Sequence, residues 1–282
     1  MEHKILKSIS FAFGMLFGMA QSVCANDLAR FNDQGNFYGL EGMHSFTVSA
    51  EPGRVEVVTD VYRDNGSSIR FHLMPGDCSK TFSGDWDDCE QNNQRVDLSI
   101  DSPTNRAVEE FYTLSMMLDA NFALQQHRPN KSRFADVNLF QFYRRGSGAC
   151  FNLLFNYGFR SLALDNRCAN GVSYDHGSRI LYNLEKSEFN TWYDFVFHVR
   201  WSSNQDGFVK VYESGNELLN YNGPTIIPDG NLRDVHPQMF IYRYGMEFFE
   251  NTTPLTWWAD NVGRYLSNRK MPRRFPLSTS MN

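Results

Sequence analysis

The chain has 282 residues, a formal charge of −5 and 15% aromatic residues. That length suits one large all-β domain. The acidic balance argues against a general nucleic-acid or heparin binder, which carries a broad basic excess, while leaving room for a locally basic groove.

The first 25 residues read as a secretory signal peptide. Lys4 and Lys7 precede an apolar run over 9–20, and Val23-Cys24-Ala25 supplies a small-residue cleavage site. The apolar run is short for a bilayer span, and Gln21-Ser22-Val23 is a poor approach to an acylated Cys24. Cleavage after Ala25 predicts a mature domain over 26–282 that is secreted or periplasmic, monomeric and free of membrane attachment. It also removes two lysines and one glutamate, which leaves the mature chain at −6.

Beyond the leader, short runs rich in β-branched and aromatic residues follow one another: 54–62, 68–74, 94–100, 110–118, 137–144, 151–156, 179–183, 192–201, 207–213, 237–244 and 256–263. Turn-forming clusters separate them, including Asp64-Asn65-Gly66, Asp165-Asn166, Asn204-Gln205-Asp206-Gly207 and Asn222-Gly223-Pro224. The pattern predicts an all-β antiparallel β-sandwich. The best helix candidate is 106–118, but Phe111 to Met117 alternates better than it repeats at helical spacing. No internal repeat and no Pro-, Gly- or Ser-rich linker divides the mature chain.

Four cysteines remain after cleavage, in a chain bound for an oxidising compartment, so two disulfides are expected. Of three pairings, Cys78–Cys89 and Cys150–Cys168 are favoured because each closes a short polar loop. No C-x-x-C spacing or close histidine pair suggests zinc. Asp85, Asp87 and Asp88 offer a possible structural calcium site, with a solvated turn as the stronger reading; no other cofactor is expected. The basic tail with Arg264, Arg269, Lys270, Arg273 and Arg274 reads as a solvated face. Asn65, Asn130 and Asn251 lie in N-x-S/T sequons.

The run "NLFQFYRRG" at 138–146 is unusual in carrying Gln141 amid apolar residues, with Arg144 and Arg145 after it. Strict alternation groups Leu139, Gln141 and Tyr143 on one face and Phe140 and Phe142 on the other. Strand 192–201 puts Phe195, Phe197, Val199 and Trp201 on one face and Val196, His198 and Arg200 on the other.

Taken with "SIRFHLMPGDC" at 68–78, "NNQRVDLSI" at 92–100, "TWYDFVFHVRWSSNQDG" at 191–207 and "FIYRYGMEFF" at 240–249, this stretch resembles the polysaccharide lyases of the glucuronan-lyase and heparin-lyase-I group. The resemblance spans roughly 54–263 and implies a concanavalin A-like β-jelly roll. Where that group has R-S-E-L, this chain has Arg95-Val96-Asp97-Leu98. At the group's K-x-G-x-Y it has Arg243-Tyr244-Gly245-Met246-Glu247, so the family's tyrosine position holds Glu247 while Tyr242 and Tyr244 lie just upstream.

The implied reaction is β-elimination: removal of the C5 proton of a uronic acid with loss of the oxygen on C4. The carboxylate beside C5 must be neutralised as charge builds on it. The resemblance assigns that role to Gln141, assisted by Arg95, with Tyr244 as base. Tyr242, Arg243, Tyr143, Arg70 and His198 are the substrate-binding candidates, although His198 reads first as a hydrogen-bonded structural histidine. The expected substrate is an anionic polysaccharide, glucuronan-like in preference to heparin because the chain is acidic. A non-catalytic carbohydrate-binding protein on the same fold is the alternative, favoured by Glu247. A glycosidase would need a facing carboxylate pair, and no E-x-D-x-x-E triplet occurs.

Overall fold

A computed structural model of the chain describes residues 37–38, 46–64, 66–79, 87–100, 109–124, 126–127, 137–144, 148–156, 161–166, 179–183, 187–226, 235–246, 249–251, 253–266, 271, 273 and 275. The leader, Glu247 and Cys168 lie outside them, as do Asp85, Arg145, Arg269, Lys270 and Arg274.

In chain order the strands are β1 (Phe37–Tyr38), β2 (Phe46–Ser49), β3 (Val55–Val58), β4 (Ser68–Leu73), β5 (Gln94–Ile100) and β6 (Glu109–Leu118). A single helical turn α1 (Asn121–Leu124) and the short strand β7 (Gln126–His127) follow. Next come β8 (Val137–Arg144), β9 (Gly148–Asn156), β10 (Ser161–Asn166), β11 (Arg179–Asn183), β12 (Trp192–Arg200), β13 (Phe208–Glu213) and β14 (Asn216–Asn222). The chain then runs through β15 (Val235–Arg243), β16 (Phe249–Asn251) and β17 (Leu255–Tyr265).

Two sheets form the sandwich. The eight-stranded one runs β14-β13-β12-β6-β17-β4-β3 with β1 parallel to β17; the seven-stranded one runs β11-β10-β9-β8-β15-β5-β2, all antiparallel. The fold is thus the all-β antiparallel sandwich that the periodicity predicts. Each predicted run contains a strand, though 54–62 ends as a strand at Val58. Six of the described strands escaped the reading, the short β1, β7 and β16 among them. Edge strand β14 alternates poorly because much of it is exposed. β10 bends through a register shift at Leu164/Asp165, where Asp165-Asn166 looked like a turn. The chemistry of β2, Phe-Thr-Val-Ser, is too short to register as a pattern.

Inward-facing side chains of both sheets make one apolar core. Phe140 and Phe142 of β8 meet Phe197 of β12 at 5.2 and 5.8 Å between ring centroids, and Phe142 packs 5.1 Å from Trp201 and 4.8 Å from Tyr112. A second apolar cluster of Phe111, Val196, Tyr212, Tyr265 and Phe275 covers the outside of the eight-stranded sheet. β6 therefore buries side chains on both faces, Thr113 and Ser115 included.

Within this core Glu110 and Arg264 form a charged pair braced by Tyr112 and Trp201. Glu110 accepts hydrogen bonds from Tyr112 Oη at 2.7 Å and Trp201 Nε1 at 2.8 Å, and it pairs with Arg264; both charged side chains are 0% exposed. Arg264 is therefore an interior residue, contrary to its expected place on a solvated tail. It lies on β17, beside β6, where the Glu110 carboxylate offsets the cost of burying its guanidinium.

The β12–β13–β14 hairpins turn through close backbone packing. Gly223 N donates to Gly207 O at 2.8 Å, and a Cβ on Gly207 would stand 2.5 Å from Gly223 O. Gly207→Ala is expected to cost about 1–3 kcal/mol as the two turns are forced apart. Thermal denaturation checks this; an unchanged midpoint would show that the turns separate freely.

Candidate active site

On β5, alternation sets Arg95, Asp97 and Ser99 on the face away from the core, where Val96, Leu98 and Ile100 lie. On β15 the same outward face carries His236, Gln238, Phe240 and Tyr242, and on β8 it carries Gln141 and Tyr143. The register aligns these into rows: Asn152–Gln141–Gln238–Ser99, then Tyr143–His236, and further along Asn138–Tyr242–Arg95. Gln141 thus stands on the polar face of the seven-stranded sheet. Leu139, expected beside it, is fully buried in the core because a register shift between Asn138 and Phe140 turns it inward.

A hydrogen-bonded chain runs across three strands. Gln141 Nε2 donates to Gln238 Oε1; Gln238 Nε2 donates to Ser99 Oγ at 2.8 Å; Ser99 Oγ donates to Asp97 Oδ1 at 3.0 Å. Tyr143 and His236 sit beside this chain, their rings edge to face at 5.4 Å. Burial pushes the Asp97 carboxyl up to about 6, against the pull of Arg95 and the Ser99 hydroxyl.

The other end of the face is cationic and aromatic. The Arg95 guanidinium lies 4.5 Å from the Tyr242 ring centroid, and its Nε is 2.9 Å from Asp88 Oδ2. Burial works against the Arg95 charge, but Asp97, Asp88 and Tyr242 outweigh it and raise its pKa. Burial also pushes the Tyr242 hydroxyl far above the usual tyrosine range, only partly opposed by Arg95, so Tyr242 keeps its proton. Tyr244, 45% exposed, follows at 6.3 Å between rings.

Asp88 owes its place to the Cys78–Cys89 disulfide, one of the two bridges expected. Inside that loop Asp88 N donates to Ser79 O, Ser79 Oγ donates to Asp88 Oδ2, and Arg95 N donates to Asp77 O at 3.3 Å. Asp87 Oδ1 accepts from the backbone of Cys89 at 2.9 Å. Both acids are thus engaged in building the turn, and no metal-ligating group of three occurs among the described residues. The double variant Cys78→Ser, Cys89→Ser is expected to lose about 3 kcal/mol of stability through chain entropy and to weaken substrate binding as Arg95 loses its anchor. Chemical denaturation and a KM measurement check the two effects separately. The Cys150–Cys168 pairing falls outside the described residues.

Three sequence candidates stand elsewhere. Arg243 alternates away from Tyr242 into the interior, where it is fully buried, donates to Gln94 Oε1 at 2.8 Å and to Thr253 O at 2.9 Å, and lies over Phe249. Arg70 is on the outside of the eight-stranded sheet, paired with Glu56. His198 shares that outside face, stacked 4.1 Å from Phe111 and 3.5 Å from Glu109, and burial lowers its pKa. None of the three shares a face with Gln141. The family resemblance suggested them; strand alternation and sheet membership place them apart.

The register also separates Gln141 from Tyr244. Gln238, opposite Gln141, lies four residues before Tyr242, about 13 Å along the strand, and Tyr244 lies roughly 20 Å away. The register thus does not bring Gln141 and Tyr244, the expected pair, together over one sugar ring. Among the described residues, Tyr143 and His236 are the proton-handling side chains paired beside the Gln141 row on the same face. His236 escaped the sequence reading because Pro237 beside it argues against a strand interior. Here pairing with β5 begins only at Gln238, so the missing N–H leaves no gap in that ladder.

Comparison with known proteins agrees with this architecture. No curated protein matches the sequence. Among solved structures, the endo-β-1,4-glucuronan lyase from the fungus Trichoderma reesei superposes with a TM-score of 0.56 at 15% identity, covering 82% of this chain and 94% of its own. The cellulose-induced protein Cip1 superposes at 0.50 with 10% identity, covering 79% and 91%. These likenesses show a shared fold. The model of the family described as polysaccharide lyase matches residues 32–263, most of the chain. The protein therefore belongs to the polysaccharide lyase family and is, by that membership, a polysaccharide lyase.

Proposed function

We propose that the chain is a secreted lyase that cuts an unsulfated polyuronate, glucuronan-like in structure, by β-elimination at the Gln141–Gln238 row. The observation that carries this reading is the placement of amide donors, a histidine and a tyrosine together on one open sheet face. The Gln141 amide donates to the uronate carboxylate as negative charge spreads onto it from C5. His236 takes the C5 proton, since histidine is the side-chain base whose ordinary pKa lies near neutrality. The C5–H electron pair forms the C4=C5 double bond, the C4–O bond breaks, and the Tyr143 hydroxyl gives its proton to the departing oxygen.

Arg95, Tyr242 and Tyr244 then hold a neighbouring sugar, with a cation for its carboxylate and aromatic faces for its ring. The acidic chain favours a carboxylated polymer over a heavily sulfated one. The glucuronan lyase among the structural neighbours supports the same choice. Secretion is supported by the leader-like residues 1–25 and by the Cys78–Cys89 bridge, which suits an oxidising compartment. No helix among the described residues is long and apolar enough to cross a membrane.

The test is the ultraviolet absorbance of the mature protein mixed separately with glucuronan, alginate, hyaluronan and heparin. A rise with glucuronan, from the double bond conjugated to the carboxylate, is the expected result. A rise with another polymer alone would overturn the substrate, and binding without any rise would replace the lyase reading with carbohydrate binding.

A further inference from the structure

The chain from Gln141 to Asp97 has two self-consistent polarities, because each amide and hydroxyl both donates and accepts. Its free end is Gln141, on the face proposed to bind substrate; its other end is a carboxylate. An ionised carboxylate accepts only. Ser99 must then spend its one hydroxyl hydrogen on Asp97, its oxygen must accept from Gln238 Nε2, and Gln238 must offer Oε1 to Gln141. Gln141 is left with one N–H and its carbonyl oxygen for anything bound on the face. This is the arrangement seen. A protonated Asp97 instead donates to Ser99 and allows every link to reverse, so that Gln141 accepts from Gln238 and presents both N–H groups.

We propose that Asp97, two strands from Gln141, is a positioning residue whose charge decides which atoms Gln141 presents to a bound carboxylate. The inference rests on the uronate reading of the face. With Asp97 ionised, a uronate meets one donor and a repelling carbonyl oxygen. With Asp97 neutral it meets two donors, and Arg95, 3.9 Å from Asp97, loses a competing anion. Both effects favour binding to the protonated form, so uronate binding takes up a proton.

The charged groups facing Asp97 are Arg95 on its own strand and Asp88 from the disulfide loop; Tyr242 of β15 faces Arg95, and His236 lies on the same face beside the Gln141 end. Burial puts the Asp97 transition at about 6, where a sugar carboxylate, ordinarily near 3.5, is still ionised.

Side-chain amide spectra of the nitrogen-15-labelled mature chain, recorded between about pH 4.5 and 8, test the chain directly without any turnover. Gln141→Ala identifies the Gln141 signals by their loss. The Gln141 and Gln238 signals are expected to move together in the wild type with a midpoint near that of Asp97. Asp97→Asn should abolish this joint transition, leaving only the smaller shift that His236 titration gives Gln141, and Ser99→Ala should uncouple Gln141 while backbone signals stay dispersed. Signals that do not titrate in the wild type, or that titrate unchanged in Asp97→Asn, would overturn the proposal.

Binding of a β-1,4-linked tetraglucuronate supplies the second arm. Its Kd should tighten from pH 8 to pH 5 by roughly tenfold more in the wild type than in Asp97→Asn, as one charge-assisted hydrogen bond is gained; the slope left in the variant is that of His236 on the same face. A titrating Gln141 in a protein that binds no tetraglucuronate at any pH would overturn the substrate reading while leaving the Asp97–Gln141 coupling established.

Discussion

Glu110→Ala is expected to cost about 3–5 kcal/mol of stability, because it leaves the Arg264 guanidinium buried without a counter-charge. Trp201 Nε1 and the Tyr112 hydroxyl lose their acceptor in the same step, and each stranded donor adds its own desolvation cost. For a chain of this size the thermal midpoint should fall on the order of 10 °C or more. The double variant Glu110→Met, Arg264→Met separates charge from packing: removing both partners should recover part of the loss, since the buried cation goes while Trp201 and Tyr112 still lack the Glu110 acceptor. Equal losses in the single and double variants would show that the ion pair is not what the core depends on. Thermal and urea denaturation of the three proteins decide the question.

Gln141→Ala is expected to lower kcat by roughly 100- to 1000-fold, the loss typical of one donor aimed at developing negative charge. Binding of an oligouronate should weaken far less, because Arg95 and the aromatic pair at the other end of the face still hold a neighbouring sugar. Tyr244→Phe provides the contrast. With about 20 Å of strand between it and the Gln141 row, loss of its hydroxyl should change kcat by less than about tenfold and act mainly on KM. A collapse of kcat in Tyr244→Phe alongside a mild Gln141→Ala would relocate the chemistry to the Arg95–Tyr242 end.

The pH dependence of stability carries its own sign. Asp97 has a folded pKa of about 6, above the ordinary aspartate value near 3.9, so folding favours its protonated form. Its contribution is fully present below about pH 4 and is lost as the pH rises through 6. An ionised Asp97 at neutral pH therefore opposes folding, and Asp97→Asn is expected to stabilise the chain at pH 8 relative to its effect at pH 4. Urea denaturation at the two values measures the difference.

Much of the fold was legible because strand alternation is a local property. The run at 192–201 needed only its own residues to sort Phe195, Phe197 and Val199 from Val196 and His198, and the core confirms that sorting. Motif likeness identified the lyase family, which the family match supports over residues 32–263. The closeness of Cys78 to Cys89 in sequence likewise found the disulfide seen. What sequence alone could not supply was the partner of each strand. Alternation shows that Arg70, His198 and Gln141 each leave the core, but not that two of them leave it on the opposite side of the sandwich. Register, set by pairing with β15, determined that Gln141 faces Gln238 and lies near His236 rather than Tyr244. The bulge at Leu139 and the burial of Arg243 and Arg264 were likewise decided in three dimensions, because a kink or a buried charge depends on what the neighbouring strands bring opposite it.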